Sequence, residues 1–234
     1  QVSRYEVPAD LRKSALERQA ELAGVSIGVG PFRHLHAMKL RDLGFADYDP
    51  SGDPIFFDFS KSVPPEWQGL VRDGAVEIDS DKAEDRIELL SGRYRDYDVQ
   101  MSVRWRGGKE TAGFGFVLNA SGADAFHWQV TANASSNFVK WKGGSPTVLQ
   151  DWNDVSSWFK KDDANVLRVL AQGGKFTCYV NGTEVFSFTE SEVGEGQIGV
   201  ILTNKMRVAF DDLSLQPLEV SEREGTLGSG YDYS

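Results

Sequence analysis

The segment Lys175–Thr189, KFTCYVNGTEVFSFT, has the residue order of a β-hairpin. In its first half every second residue is apolar and falls on one face: Phe176, Cys178 and Val180. Asn181 and Gly182 follow, and both tolerate the positive φ angles that a tight type I′ turn requires. The returning half alternates again and places these residues on one face: Glu184, Phe186 and Phe188. The segment therefore predicts two antiparallel strands joined by a two-residue turn.

Shorter runs of the same kind occur on both sides of this hairpin. In Tyr97–Trp105 the odd-numbered residues are apolar or aromatic and the even-numbered ones are polar, as in an antiparallel sheet with one buried side. Many short strands at regular spacing, most of them separated by glycine-containing turns, indicate an all-β sandwich. Besides the hairpin, the predicted strands are 55–59, 75–78, 86–90, 97–105, 113–119, 125–131, 138–142, 165–171, 197–203 and 207–215.

The composition suits one sandwich with additional segments. The chain has 234 residues, of which 40% are hydrophobic and 12% aromatic, which is enough for a substantial core. Its formal net charge is −10. A nucleic-acid-binding protein needs a basic surface to displace counterions, and anionic lipid headgroups attract basic segments. The charge therefore argues against nucleic acid and against anionic membrane surfaces as partners.

The single cysteine and the hydropathy exclude two further kinds of structure. Cys178 is the only cysteine of the sequence, so the chain cannot form an internal disulfide or a thiolate cluster. Its place on the apolar face of the hairpin predicts a buried side chain. No apolar run approaches the roughly 20 residues that a bilayer-spanning helix needs. The sequence therefore predicts no transmembrane segment.

Two terminal segments differ from the strand-rich centre. Residues 1–53 predict an N-terminal arm with a helix from about Leu11 to Ala23, capped by Asp10 and stopped by Gly24, and a second short helix from Phe32. Residues 219–234 are polar and contain glycine, which predicts an extended C-terminal tail. The predicted domains are therefore the arm 1–53, the sandwich 54–218 and the tail 219–234.

Four stretches of the centre resemble a known superfamily. They are DPIFFDFSKSVPPEW (53–67), TAGFGFVLNASGADAFHWQV (111–130), NVLRVLAQGGKFTCYVNGTEVF (165–186) and GQIGVILTNKMRVAFDDLSL (196–215). They resemble the jelly-roll domains of the concanavalin A-like lectin/glucanase superfamily, of the laminin G-like type, over about residues 54–218. The resemblance implies an antiparallel jelly-roll β-sandwich. It leaves the activity open, because lectins, glucanases, other hydrolases and adhesion modules share this fold.

The resemblance also suggests where a catalytic site would lie. Laminarinase-type glucanases carry their catalytic carboxylates in the pattern E-x-D-x-x-E, and Glu77-Ile-Asp79-Ser-Asp81-Lys82 departs from it because Lys82 replaces the second acid. Solvated turn charges explain this stretch equally well. A second resemblance is to 3-keto-glycoside hydrolases of the same fold. The acidic and histidine residues of their site have no identifiable counterparts in this chain. The sequence therefore predicts no enzyme and no catalytic residues.

A carbohydrate-binding face is one functional hypothesis. Jelly-roll proteins bind glycans with an aromatic ring stacked on the sugar and with amide or charged groups bonded to its hydroxyls. Outward positions of several predicted strands would supply such groups if they share one face; these candidates are Gln100, Arg104, His127, Gln129, Lys140 and Trp141. Trp152 and Trp158 lie near loops and could add a platform. Alternatively, the tryptophans cap the ends of the sandwich and the polar face is only solvated.

Metal ligands are sparse in the sequence. His34 and His36 would share a face only in an extended segment, and no Asp or Glu follows them at ligand spacing. Laminin G-like domains sometimes hold calcium through loop carboxylates, for which Asp151 and Asp154 are the weak candidates beside Asp162 and Asp163. Acidic loops are more often simply solvated. The expectation is therefore no cofactor, with calcium as the one option.

The leading functional hypothesis concerns the two ends of the chain. A short amphipathic helix and a tail with tyrosines suit docking onto another protein, since tyrosine buries much area at little entropic cost. The alternative is that both ends pack back on the sandwich. The candidate anchors are Leu11, Leu22, Phe32, Leu35, Tyr231 and Tyr233.

The sequence thus predicts a non-catalytic accessory subunit that docks onto a protein partner or a larger assembly through its arm and tail. A lectin-like carbohydrate-binding module is the alternative, and a glycan hydrolase is third. The resemblance implies an extracytoplasmic location, periplasmic or secreted, either free or associated with a membrane complex.

Overall fold

The computed structural model describes residues 55–57, 59, 63–64, 67–80 and 85–218. Several predictions fall outside these residues, namely the arm helices, the C-terminal tail and His34 and His36. The six candidate anchors for a partner also fall outside them: Leu11, Leu22, Phe32, Leu35, Tyr231 and Tyr233. The predicted domain boundaries stay predictions.

Fourteen β-strands make up the regular structure of the described residues. Their bounds are β1 (Ile55–Phe57), β2 (Leu70–Arg72), β3 (Ala75–Ser80), β4 (Arg86–Leu89), β5 (Tyr97–Gly108), β6 (Gly113–Ser121), β7 (Asp124–Thr131), β8 (Ser135–Lys142), β9 (Ser145–Asp154), β10 (Asn165–Gln172), β11 (Lys175–Val180), β12 (Thr183–Thr189), β13 (Gln197–Leu202) and β14 (Met206–Pro217). No helix among these residues is long and apolar enough to cross a bilayer.

The strands form two antiparallel sheets, which confirms the predicted all-β sandwich. The eight-stranded sheet runs in the order β12-β11-β10-β5-β14-β3-β2, with β1 paired to β14. The six-stranded sheet runs β4-β13-β6-β7-β8-β9. Sequence neighbours pair in the hairpins, whereas pairs such as β5 with β14 and β13 with β6 join distant parts of the chain. These long-range pairs give the described chain its sandwich topology.

The predicted hairpin is confirmed as β11 and β12. Asn181 and Gly182 form its turn with φ angles of 50° and 82°, as the type I′ turn requires. The Asn181 side chain also joins the turn to its surroundings. Its Oδ1 accepts a hydrogen bond from the Val166 amide at 2.8 Å, and its Nδ2 donates to the Trp158 carbonyl at 2.7 Å and to Asn165 Oδ1 at 2.9 Å.

The sequence analysis did not predict two of the strands, β2 and β9. Both lie at the edge of a sheet, and most of their side chains are exposed. An edge strand with no buried face needs no apolar alternation, so the pattern that reveals inner strands is missing. In β9, Pro146 weakens the signal further because proline is uncommon in strands other than edge strands.

The core lies between the inner faces of the sheets. The core residues of β5 and β6 are fully buried there, namely Tyr97, Val99, Met101, Val103, Phe114, Phe116 and Leu118. At one end, Phe138 meets Phe188 edge-on with ring centroids 4.7 Å apart, and Phe176 stacks on Phe188 at 5.1 Å. Such aromatic pairs add to the stabilisation from burial alone. Cys178 is buried in this core as predicted, and burial raises the pKa of its thiol well above the ordinary value.

The hairpin turn provides a test of the fold. Asn181→Ala removes three hydrogen bonds and leaves at positive φ a residue that tolerates this conformation less well than asparagine, so we expect it to lower the free energy of unfolding by about 3 kcal/mol. Urea denaturation measures this loss. Asn181→Gly removes the same bonds without placing a Cβ there, so its loss should be smaller. An Asn181→Ala variant as stable as the Asn181→Gly variant would show that the left-handed backbone imposes no constraint.

Candidate functional site

A buried polar surface lies on β7 and β8, on the face of the six-stranded sheet that is turned away from the core. Phe126, Trp128 and Val130 of β7 point into the core. Because strand residues alternate between faces, His127 and Gln129 point outward. On β8, Phe138 is in the core. Asn137, Val139 and Trp141 therefore point outward as well. We call this surface the outer face of the six-stranded sheet.

The register brings four of these outward residues together. Gln129 lies directly opposite Asn137, His127 opposite Val139, and Ala125 opposite Trp141. The rings of His127 and Trp141 are tilted by 42°, with centroids 5.5 Å apart. We call His127, Gln129, Asn137 and Trp141 the β7–β8 cluster.

The polar members of the cluster are almost completely buried. Only 8% of His127, 8% of Gln129 and 7% of Asn137 is exposed. In the described part of the chain, neither Asn137 Oδ1 nor Trp141 Nε1 has a hydrogen-bond partner, although both atoms are buried. A buried polar atom without a partner destabilises the fold by roughly 1–3 kcal/mol. A ligand whose donors and acceptors reach these atoms would remove that penalty.

Glycine on the neighbouring strand β6 makes room for the Gln129 side chain. A Cβ at Gly113 would collide with Gln129 Oε1 and would lie 2.9 Å from its Cδ. The carboxamide thus lies over β6 rather than standing upright between the strands. A larger residue at position 113 would displace this group, so the sequence GFGF of β6 helps to position the cluster.

Burial decides the protonation of His127. It lowers the pKa of the imidazole from 6.5 to about 4, since a charged ring would lose its hydration. At pH 7 the ring is neutral, with one nitrogen that donates and one that accepts. The cluster therefore combines an aromatic surface with uncharged donors and acceptors.

The outer face carries little charge. At the paired outward positions of β6, β7 and β8 described here, no side chain is a Lys, Arg, Asp or Glu. An uncharged polar cluster beside a tryptophan suits a neutral polyhydroxyl ligand, because hydroxyl groups bond to amides and imidazole while the apolar face of the ligand stacks on the ring. The same surface offers no cation to an anionic ligand.

The structure separates the six sequence-predicted glycan candidates into three groups. His127, Gln129 and Trp141 are together in the cluster. Gln100 and Arg104 alternate with the buried residues of β5, so they point outward from the other sheet. Lys140 lies on the core side of β8, opposite Phe126, and its Nζ is 2.7 Å from Glu190 Oε2. The expectation that all six share one face is thus corrected, and their role in binding stays a prediction.

Local contacts account for the positions of Arg104 and Lys140. Arg104 forms an exposed ion pair with Asp163 at 3.2 Å. Lys140 is two residues from Phe138, so the alternation of the strand turns it to the core side, where its ammonium group reaches Glu190 at the edge. The ion pair lowers the pKa of Glu190.

Asn137 is the member of the cluster that the sequence analysis missed. The predicted strand began at Phe138, whereas β8 begins at Ser135. The polar start Ser135-Ser136-Asn137 has the composition of a turn, and only the pairing with β7 makes it a strand. The directly opposite placement of Asn137 and Gln129 is a consequence of tertiary register that alternation alone does not supply.

The weak calcium candidates have local roles. Asp151 and Asp154 lie on β9 rather than in a loop. Asp151 Oδ1 accepts a hydrogen bond from the Trp152 amide, and Asp154 Oδ1 accepts one from the Ser156 amide, each at 2.8 Å. The bond from Ser156 lowers the pKa of Asp154. Among the residues with described positions, no group of three or more His, Cys, Asp or Glu could hold a metal ion. Calcium binding stays a prediction.

The glucanase-like stretch lies on the opposite side of the molecule. Glu77 and Asp79 are on β3 of the eight-stranded sheet, where Val76 and Ile78 point into the core. Glu77 Oε1 accepts a hydrogen bond from Arg72 at 3.0 Å. A carboxylate held by arginine on a face remote from the β7–β8 cluster does not form a catalytic pair with it.

Comparison with known proteins places the chain in a family. A family model described as the 3-keto-alpha-glucoside-1,2-lyase-like domain matches residues 56–216. The chain belongs to this family. No curated protein matches the chain by sequence. Of the two enzyme types compared in the sequence analysis, laminarinase-type glucanases and 3-keto-glycoside hydrolases, this family therefore supports the second.

Solved structures with similar folds come from carbohydrate-related proteins and from one protein of unknown function. The carbohydrate-binding module CBM66 from Bacillus subtilis has a TM-score of 0.53 and 17% identity, and the match covers 60% of this chain and 86% of the module. A galectin-like protein of unknown function from Bacillus subtilis has a TM-score of 0.59 and 13% identity, with 74% and 99% covered. A xylan beta-1,4-xylosidase from Bacillus halodurans C-125 has a TM-score of 0.54 and 14% identity, with 71% of this chain and 40% of the xylosidase covered.

These matches confirm the predicted concanavalin A-like jelly-roll fold. They also overturn the leading functional prediction. A family named for action on a 3-keto-glucoside, with structural neighbours that include a carbohydrate-binding module and glycosidases, does not support an accessory subunit that docks onto a protein. The docking prediction is wrong because it relied on the chain ends and on the absence of a known carboxylate motif. The domain is related both to glycosidase and lyase families and to non-catalytic carbohydrate-binding modules.

The neutral state of His127 predicts a pH dependence of stability. The unfolded chain binds a proton at this residue near pH 6.5, and the folded chain does so only near pH 4. Acidification through this window therefore favours unfolding, by about 1.4 kcal/mol per pH unit and about 3 kcal/mol in total. Above pH 6.5 the residue has no such effect.

Urea denaturation at pH 7 and pH 4.5 measures the change. His127→Gln is the matched control, since an amide does not titrate and the other acidic groups remain in both proteins. The wild-type protein should lose more stability than this variant on acidification. Equal losses would show that the folded-state pKa of His127 is near its usual value.

Proposed function

We propose that the domain binds carbohydrate through the outer face of the six-stranded sheet. The β7–β8 cluster carries this proposal, because three nearly buried polar side chains converge beside a tryptophan and two of its polar atoms lack partners among the described residues. Sugar hydroxyls both donate and accept hydrogen bonds, so they can satisfy Asn137 Oδ1, the Gln129 carboxamide and the neutral imidazole of His127 together. The apolar face of a pyranose or furanose ring would contact Trp141.

The lack of charged side chains on this face narrows the class of sugar that it can bind. Uncharged partners recognise neutral sugars, whereas uronate or sulfate groups require arginine or lysine. Similarity to a carbohydrate-binding module supports the binding of carbohydrate but does not select the sugar. A polysaccharide ligand is consistent with an extracytoplasmic protein, which remains part of this proposal.

Affinity electrophoresis and calorimetry with soluble neutral polysaccharides test the proposal. Asn137→Ala and Gln129→Ala each remove a group that faces the ligand, so we expect each to weaken binding by about tenfold or more. Arg104→Ala is the matched control, because Arg104 lies on the outer face of the other sheet. Its affinity should equal that of the wild type. If a broad panel of neutral polysaccharides shows no binding, or if Arg104→Ala weakens binding as much as Asn137→Ala, the proposed face is wrong.

A catalytic role of the same face is the second candidate, favoured by His127. This imidazole is neutral, so one ring nitrogen can accept a proton. In a 3-keto-glucoside the ketone at C3 acidifies the C2–H bond. Elimination would transfer this proton to His127, form the C1–C2 double bond and break the bond from C1 to the leaving oxygen, which leaves as an alcohol after taking up a proton.

The low pKa makes His127 a weak base, since the most effective base has a pKa near the working pH. It also predicts a characteristic pH dependence of the rate. The rate of elimination should not fall as the pH is lowered from 7 until it approaches about 4, where the ring is protonated. The conjugated enone product absorbs ultraviolet light, so a 3-keto-glucoside substrate gives a direct assay. His127→Gln, whose amide still donates and accepts hydrogen bonds, should abolish elimination without abolishing sugar binding; full activity in this variant would remove His127 as the base.

A further inference from the structure

The edge strand β9 extends the outer face beyond the β7–β8 cluster. Two regular pairs, Ser136 with Asn153 and Phe138 with Gln150, bracket a bulge. Within it the single residue Asn137 of β8 faces two residues of β9, Asp151 and Trp152. Asn153 and Gln150 oppose core-side residues of β8, so by strand alternation their neighbours Trp152 and Asp151 both point to the outer face. Trp152 therefore lies on the outer face beside Asn137.

Trp152 is an exposed aromatic residue in this position. Its exposed fraction is 45%, which is large for a tryptophan. An exposed edge-strand tryptophan contributes little to the core, whose rings lie on the inner side of the sheet. Trp152 thus presents an apolar surface next to the unpartnered carbonyl oxygen of Asn137, at the opposite end of the cluster from Trp141.

The two tryptophans are too far apart to contact one sugar ring. Trp141 and Asn137 are four residues apart on β8, and Trp152 is one strand further. At about 3.4 Å per residue and about 4.8 Å between strands, the backbones at Trp141 and Trp152 are roughly 14 Å apart. Between them, Val139 and Val148 lie opposite each other, and Val148 is 58% exposed. The strip from Trp141 to Trp152 is therefore apolar along its floor and lined by the amides of Asn137 and Gln129.

Charges at the rim disfavour an anionic occupant. Asp154 pairs with Ser135 and so shares the outer face, and Asp151 lies in the bulge beside Trp152. With a net charge of −10 on the whole chain, these carboxylates would repel uronates, sulfates and phosphates. A neutral chain meets no such penalty.

We propose that the outer face binds a neutral oligosaccharide of at least two sugar units, which runs from Trp141 to Trp152 and places one ring on each tryptophan. This inference rests on the proposed carbohydrate binding and adds to it the length of the ligand and the role of β9. Trp141 and His127 contact the unit at one end, and Trp152, Asn137 and Gln129 contact the unit at the other. Trp152 is a specificity residue that selects chains over single sugars.

Calorimetry with the full chain tests this inference on three ladders, the xylo-, cello- and fructo-oligosaccharides of one to six units. The wild type should bind at least one ladder with an affinity that rises about tenfold or more once the chain reaches both tryptophans. Trp152→Ala should abolish this gain and leave the affinity for the shortest bound member unchanged. Trp152→Phe should restore part of it, because a smaller aromatic ring still stacks.

Trp158→Ala is the matched control. Trp158 is also an exposed tryptophan, but its carbonyl is bonded to Asn181 at the hairpin turn of the other sheet. It should bind long and short chains as the wild type does. Thermal melting of each variant checks that the fold is intact.

The outcomes separate the two proposals. If no member of any ladder binds and neutral polysaccharides fail as well, the proposed carbohydrate binding is wrong and the inference falls with it. If sugars bind but the affinity is the same at all lengths, or Trp152→Ala retains the gain, only the inference about Trp152 is wrong. A change in oligomeric state on Trp152→Ala, seen by size-exclusion chromatography without any change in sugar affinity, would assign Trp152 to a contact between chains instead.

Discussion

The alternation of β7 connects the core to the candidate site. Phe126, Trp128 and Val130 point inward and complete the core, and this arrangement alone turns His127 and Gln129 to the outer face. A shift of the register by one residue would bury the imidazole and the amide in the core and expose two large aromatic rings. The burial of Trp128, whose Nε1 donates to Ser136 Oγ at 2.9 Å, opposes such a shift. The packing that stabilises the sandwich therefore also positions the polar groups.

The outer face is energetically costly for a surface that only supports the fold. His127 stays neutral because burial penalises its charge, and Asn137 Oδ1 and Trp141 Nε1 lack partners in the described structure. Elsewhere some buried charge is paired, as in the bidentate pair of Arg168 with Asp98 at 2.8 and 2.7 Å, whereas Asp96 Oδ2 and Arg106 Nε also lack partners among the described residues. The cluster differs from these other places because its two unpartnered atoms share one uncharged face with His127 and Gln129, and a ligand that bonded to them would offset their cost.

The corrected functional prediction shows where sequence reasoning failed. Glu77 and Asp79 match the alternating carboxylates of one glycosidase type only in part and lie on a different sheet, and the incomplete motif favoured a non-catalytic docking subunit over the carbohydrate-binding alternative. The chain matches the family over residues 56–216 although it lacks that complete motif. In the stretch FHWQV of β7 the apolar residues belong to the core, and His127 and Gln129 belong to the outer face.

Local sequence was sufficient for the hairpin around Asn181 and Gly182, for most inner strands and for the inward or outward direction of residues such as Gln100 and His127. These features follow from turn chemistry and from the two-residue period of a strand, which both act over a few residues. The tertiary structure decided which outward residues are neighbours. Gln100 and His127 have the same local pattern but lie on different sheets, because strand pairing depends on contacts between distant segments. The placement of Asn137 opposite Gln129, and of Trp152 beside it through a bulge in an exposed edge strand, came from that pairing alone.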